Sequence, residues 1–281
     1  MKFGIIDVGG GMRDAYGAGV FDWCNDNNVN FDYCIGVSAG SANLSSYLAG
    51  QRGRNLKFYT DYDLRDECMS MKNFAKTRNF VDLEYIYGEM SNSTGECPLD
   101  FEAVVRNPAE YKIVATDALS GKPYYFDKSD MAQDDYCAIK ASSCVPAANQ
   151  PYYVKGTRYF DGGISDPIPV AKCFADGCDK VVLILTRPRD FERSPKKDRL
   201  TAGILRASYP NAAVAMSKRA ETYNYELRLA KKYEAEGKVL IIAPDDIGDM
   251  KTLTKDREMI EELYHKGYRD AEVIRAFVSE E

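Results

Sequence analysis

Apolar positions along the chain follow two rhythms. Short, almost unbroken runs stand at 3–8 (Phe3-Gly-Ile-Ile-Asp-Val8), 32–36, 111–116, 180–186 (Lys180-Val-Val-Leu-Ile-Leu-Thr186) and 239–243. Runs of this length, rich in Val and Ile and bounded by turn residues, predict strands buried on both faces. Longer stretches between them carry a helical period. They cover about 14–26 (with Ala15, Ala18, Val20, Phe21 and Trp23), the residues after Ser38 to Leu48, about 131–143, 168–176 and 212–235, and an amphipathic tail over the last thirty residues. Pro123–Phe126, after the turn Ser120-Gly121-Lys122, reads as an antiparallel partner of 111–116. Tyr152–Val154 and Thr157–Phe160, joined at Lys155-Gly156, read as a hairpin.

The alternation predicts an α/β fold: a central, mostly parallel sheet with helices on both faces. Residues 51–108 break the rhythm, being rich in charge, Tyr, Asn and Met. They are expected to form irregular helices and loops, either a cap over the sheet edge or an insertion packed elsewhere. Asp61-Tyr-Asp63-Leu-Arg-Asp66 starts like a calcium loop but lacks the glycine and closing glutamate, so that reading is discarded. Residues 187–201 read as a basic, proline-containing loop, and about 206–281 as helices with one strand. No repeat or linker divides the chain, so one domain over 1–281 is expected.

Composition narrows the function. The 281 residues are 45% hydrophobic, enough for a large core, and the net charge is -6. An acidic chain does not suit a nucleic-acid binder. No apolar run approaches the length of a membrane span, and Asp7 interrupts any leader-like core, so the expectation is a soluble cytoplasmic protein. Eight cysteines without C-x-x-C spacing predict buried, reduced thiols rather than a metal site.

The candidate chemistry centres on Gly36-Val-Ser-Ala-Gly40. A strand leads into it and a helix leaves it, with Ser38 at the apex. Glycines at 36 and 40 let strand and helix close around a strained serine, whose hydroxyl then stands near a helix N-terminus. A nucleophilic serine needs a base. The single histidine, His265, lies on a polar helical segment and reads as a surface residue. A carboxylate is the alternative, and Asp161 is the best candidate: it ends a strand and precedes Gly162 and Gly163, although taken alone it reads first as an ordinary Asp-Gly turn. The rival Asp166, followed by Pro167, reads as a helix N-cap. Gly9-Gly10-Gly11, between strand and helix, offers free N–H groups for an oxyanion or a phosphate, with Met12 and Arg13 beside them. Asp14 stands where a dinucleotide fingerprint requires glycine, and no Gly-Lys-Ser/Thr follows, which argues against a nucleotide site.

Together, Gly9–Arg13, Gly36–Gly40 and Asp161–Gly163, supported by Ala141-Ser-Ser-Cys-Val-Pro146, Ala115-Thr-Asp117 and Asp161-Gly-Gly-Ile-Ser-Asp-Pro-Ile-Pro169, resemble the patatin-like phospholipases in order and spacing over roughly residues 3–190. Leu263–Ala271 resembles the tail of bacterial members. The resemblance implies a three-layer α/β/α fold with a cap and lipid acyl hydrolysis by a Ser–Asp dyad without metal or cofactor. Ser38 is then nucleophile, Asp161 base, and Gly10 and Gly11 the oxyanion donors. The implied partner is a lipid or small ester; no oligomeric state is implied. The basic stretch with Phe191, Arg193, Lys196, Lys197 and Arg199 reads first as a solvated charged loop, with peripheral contact to anionic lipid at a membrane as the alternative. Asp14 departs from the family, which commonly has glycine there. A carboxylate beside the oxyanion loop is expected to weaken catalysis unless it faces solvent, and a catalytically weak binding module is the alternative function.

Overall fold

The unbroken apolar runs form the centre of the molecule. The computed structural model describes residues 1–62 and 64–279; Asp63, in the discarded acidic stretch, and residues 280–281, in the expected tail, lie outside the described residues. The strands are β1 (Phe3–Asp7), β2 (Tyr33–Val37), β3 (Glu110–Asp117), β4 (Pro123–Asp127), β5 (Tyr152–Val154), β6 (Thr157–Asp161), β7 (Lys180–Ile184) and β8 (Val239–Ile242). They make one sheet in the order β5-β6-β3-β2-β1-β7-β8, with β4 also paired to β3. From β3 to β8 the pairing is parallel, while β4, β5 and β6 run as the antiparallel edge predicted for the two hairpin stretches.

The helices are α1 (Ala15–Asp26), α2 (Ala39–Leu48), α3 (Arg54–Lys57), α4 (Met71–Thr77), α5 (Phe101–Arg106), α6 (Cys137–Ser142), α7 (Val170–Ala175), α8 (Lys196–Leu205), α9 (Pro210–Ala235), α10 (Arg257–Asp270) and α11 (Ile274–Ser279). Successive strand residues face opposite ways, and the core divides accordingly. Ile5, Cys34, Ile113 and Val182 pack with Tyr16 and Phe21 of α1, Leu44 of α2 and Leu263 of α10. Their neighbours Ile6, Ile35, Val114 and Leu183 pack on the other face with Cys173 of α7 and Leu227 of α9. The result is the three-layer α/β/α arrangement, with a mostly parallel sheet, that the pattern predicted.

Several expected boundaries shift. Residues 187–201 are not a loop throughout, because α8 begins at Lys196. Its inward face is Asp198, Ala202 and Leu205, a helical spacing hidden by the surrounding charge. The helices expected at 131–143 and 168–176 shorten to α6 and α7. Asp166 caps neither; the N-cap of α7 is Pro169, and the buried Asp166 carboxylate instead accepts from the Tyr125 hydroxyl at 2.5 Å. Residues 51–108 are irregular as expected, with π-helical turns at Phe58–Tyr62 and Tyr85–Glu89. All eight cysteines are buried thiols outside any disulfide. Among the described residues no helix is long and apolar enough to cross a membrane.

One crossing ties the two ends of the chain together. A Cβ on Gly19 of α1 would lie 2.0 Å from the Tyr264 carbonyl oxygen of α10, and a Cβ on Gly267 of α10 would lie 2.0 Å from the Tyr16 carbonyl oxygen of α1. The two backbones therefore touch. The Tyr264 hydroxyl donates to Asp22 and the Tyr16 hydroxyl to Asp270, each at 2.7 Å, and these bonds flank the contact.

Candidate active site

The turn between β2 and α2 carries Ser38 at φ 56°, ψ -130°. A residue with a Cβ pays a steric cost there, and such strain persists only where its surroundings enforce it. The surroundings are specific. A Cβ on Gly36 would lie 2.5 Å from Ser41 Cα, and one on Gly40 would lie 2.4 Å from the Asp7 carbonyl oxygen. Only glycine allows strand and helix to approach this closely. The Ser38 amide donates to Ser142 Oγ at 2.8 Å, and that hydroxyl donates to the Val114 carbonyl at 2.6 Å. Ser142, in the 141–146 stretch, thus pins the strained backbone to β3.

Asp161 ends β6, carried there by pairing with Ala115 of β3. It is 5% exposed and accepts the Gly163 amide at 2.8 Å. Burial raises its pKa above the ordinary aspartate value. Arg219 opposes the rise, as do the Ser38 hydroxyl, the Gly163 amide and Arg193. Ser38 therefore lies close enough to stabilise the carboxylate's charge, although no hydrogen bond of ordinary length and angle joins them. Such contacts commonly tighten only with substrate in place.

The triglycine loop closes the arrangement. A Cβ on Gly9 would lie 2.2 Å from the Val37 carbonyl oxygen, so the loop sits against the serine turn. Two of its amides are engaged: Gly9 N–H donates to Asp7 Oδ1 at 3.0 Å and Met12 N–H to the Thr252 carbonyl at 2.9 Å. Thr186 Oγ1 donates to the Gly9 carbonyl at 2.5 Å. The amides of Gly10 and Gly11 have no hydrogen-bond partner among the described residues. Arg13 is buried, and its Nη1 donates to Thr252 Oγ1 at 2.7 Å.

Asp14 does not face solvent. It is fully buried beneath the loop against Asp7, and neither of its side-chain oxygens has a partner that meets ordinary hydrogen-bond geometry. Burial first, and Asp7 second, push its pKa well up, while Asp7 is raised by burial to about 6. Two carboxyls this close do not both ionise in a dry site. Burial and the neighbouring Asp7 thus favour the neutral form of Asp14, while Asp7 is the carboxylate that accepts the Gly9 amide.

Ser38, Asp161, Gly163 and Gly9–Arg13 line one cavity of about 620 Å³. Gly36, Gly40 and Gly162 lie behind its surface. From the irregular 51–108 stretch, Phe58, Met69, Val81, Leu83 and Ile86 line it, together with Arg54 and Asn55. Arg187, Phe191, Arg193, Lys196, Lys197 and Arg219 line it as well. Asp166, His265 and Arg199 are not part of it, and His265 is exposed on α10. Sequence reasoning missed Arg219, Ser142 and Thr252. Arg219 Nε donates to the Gly163 carbonyl at 2.5 Å, yet nothing in the α9 pattern separates it from the exposed Arg228.

A sheet of this order, with a strained serine turn and a glycine loop packed together at the carboxyl ends of parallel strands, defines an α/β scaffold with a nucleophile-elbow type of turn. The family model described as patatin-like phospholipase matches residues 8–173, more than half of the chain, and the protein belongs to that family of lipid acyl hydrolases. A second model, a domain of unknown function (DUF6363), matches residues 209–276. The chain is 29% identical over 210 residues to the uncharacterized protein YjjU of Escherichia coli (strain K12), covering 69% of this chain and 55% of that protein. It is 34% identical over 82 residues to the uncharacterized NTE family protein Rv1063c of Mycobacterium tuberculosis, covering 29% of this chain and 22% of that protein. The chain thus spans about half of the first relative and about a fifth of the second. VipD from Legionella pneumophila superposes with a TM-score of 0.48 at 11% identity, covering 99% of this chain and 67% of that one.

Proposed function

We propose that the protein hydrolyses fatty-acyl esters of lipids by a Ser38–Asp161 dyad. Ser38 Oγ attacks the ester carbonyl as Asp161 takes its proton, and the developing oxyanion is held by the Gly10 and Gly11 amides at the N-terminal side of Arg13. The alcohol leaves with the proton from Asp161. Water then gives a proton to Asp161 as it attacks the acyl-serine, and the fatty acid departs as Ser38 regains its hydrogen. The apolar wall supplied by 51–108 acts as a cap that receives the acyl chain.

The observation carrying this reading is the Ser38 hydroxyl against a buried carboxylate whose pKa is raised toward the working range, in the same cavity as two unengaged amides. The shift of Asp14 toward its neutral form supports an active enzyme over a purely binding protein. A fluorophosphonate probe is expected to label the wild-type protein and not Ser38→Ala. Ser38→Ala and Asp161→Asn are each expected to lower kcat for nitrophenyl fatty esters by about a thousandfold or more, and His265→Gln to leave it unchanged. Wild-type turnover by Ser38→Ala would remove the assignment.

A further inference from the structure

Away from the serine turn, at the amino end of β7, the chain brings two thiols together. α7 is closed by a left-handed glycine, Gly177 at φ 91°. The Gly177 amide donates to the Phe174 carbonyl and the Cys178 amide to the Cys173 carbonyl, each at 3.1 Å. Such a doubled closure carries the residue after the glycine back over the last turn of the helix, where its side chain meets the one that begins that turn. Here those two residues are Cys178 and Cys173, both buried and packed in one cluster. Gly4 of β1 leaves room for the first of these sulfurs: a Cβ there would lie 2.9 Å from Cys178 Sγ.

The surroundings favour a negative charge on one of the two. The Cys173 thiol holds Cys178 below the ordinary thiol value, against burial, and the Lys2 ammonium helps. Lys2 is fixed nearby through the Asp176 carbonyl at 2.9 Å and Glu110 at 2.7 Å. Cys173 itself is pushed well up, by burial and then by Cys178. Cys178 stands between the exposed Gly177 and Asp179 and is 5% exposed, while Cys173 is fully buried. Cys97 and Cys137 are slightly more exposed, at 7% and 8%, but burial raises both. The thiolate is the reactive form, and a second thiol in reach stops its oxidation at a disulfide.

We propose that Cys173 and Cys178 form a reversible peroxide-oxidation site, closing a disulfide across the end of α7. The Cys178 thiolate attacks one oxygen of hydrogen peroxide, the O–O bond breaks, and hydroxide leaves a sulfenic acid behind. The Cys173 sulfur then attacks the Cys178 sulfur, and the thiol proton departs with the hydroxyl as water. Two thiols are oxidised and one peroxide is reduced. Ester turnover plays no part, so the site stands or falls apart from the Ser38–Asp161 reading. The test treats the folded protein with hydrogen peroxide, then unfolds it in iodoacetamide and digests it with trypsin. Cleavage after Lys172 and Lys180 leaves both sulfurs in one peptide, 173–180. That peptide is expected unalkylated and about 2 Da below its reduced mass, at a dose that leaves Cys97 and Cys137 alkylated, and dithiothreitol is expected to restore both thiols. In folded Cys173→Ala protein, dimedone is expected to trap the sulfenic acid on Cys178. Oxidation of Cys97 or Cys137 at the same dose, or a doubly alkylated 173–180 peptide after those two have reacted, overturns the site. No dimedone adduct in Cys173→Ala overturns Cys178 as the attacked thiol. An equal yield of the lighter peptide from protein unfolded in urea before treatment would trace the bond to nearness in sequence and overturn the part given to the fold.

Discussion

Asp161 sits between opposed influences, and one residue sets much of the balance. Burial raises its pKa, and Arg219 is the strongest influence lowering it. A general base must be unprotonated, so activity is expected to fall as pH drops through the Asp161 pKa. Removing the cation raises that pKa further. Arg219→Met is therefore expected to move the acid limb of the kcat/KM profile to higher pH, and Arg219→Lys to move it back, as followed with a neutral nitrophenyl ester. A role confined to packing would lower the rate without moving the limb. Ser38, Asp161 and the triglycine were legible as candidates because each makes a demand on the backbone that leaves glycines in the sequence. Arg219 and Thr252 left no such trace, and Ser142, though inside the 141–146 stretch, showed nothing of its role. They act through approaches made only after folding, and an arginine on a helix face looks the same whether it meets water or a carbonyl. Asp14 was visible as a departure, but its consequence was not. Whether a carboxyl is a charge or a neutral acid depends on burial, reinforced here by the charge of the neighbouring Asp7.

The strands were legible because a parallel sheet buries both faces and each strand reads as an apolar run. α8 was not, since its inward stripe of Asp198, Ala202 and Leu205 includes a carboxylate paired to Arg193 and so does not look apolar. Nor did the pattern reveal the α1–α10 contact, which depends on two glycines 248 positions apart meeting backbone to backbone (267 minus 19). Side chains cannot be added there without separating the helices. Gly267→Ala is expected to destabilise the protein by about 1–3 kcal/mol through overpacking, read as a lower midpoint in urea with the slope unchanged. An unaltered midpoint would mean that the helices separate at little cost.

The region 209–276 is woven into the rest of the molecule. It supplies β8 to the sheet, α9 to one face and α10 to the other, and it places Arg219, Tyr223, Thr252 and Leu253 on the cavity. Thr252 alone holds both the Met12 amide and the Arg13 side chain. We propose that the chain unfolds as one unit. Trp23 on α1, whose ring lies 5.9 Å from the Arg275 guanidinium, reports on the union of the chain's two ends. Its fluorescence and the far-ultraviolet circular dichroism are expected to give one common urea midpoint; two separate midpoints would mean two independent units. The serine turn carries a consequence of its own. Glycine at 36 and 40 is demanded by the close approach of backbone to backbone, not by any reaction, so the motif would outlive the chemistry in a copy whose serine had fallen silent.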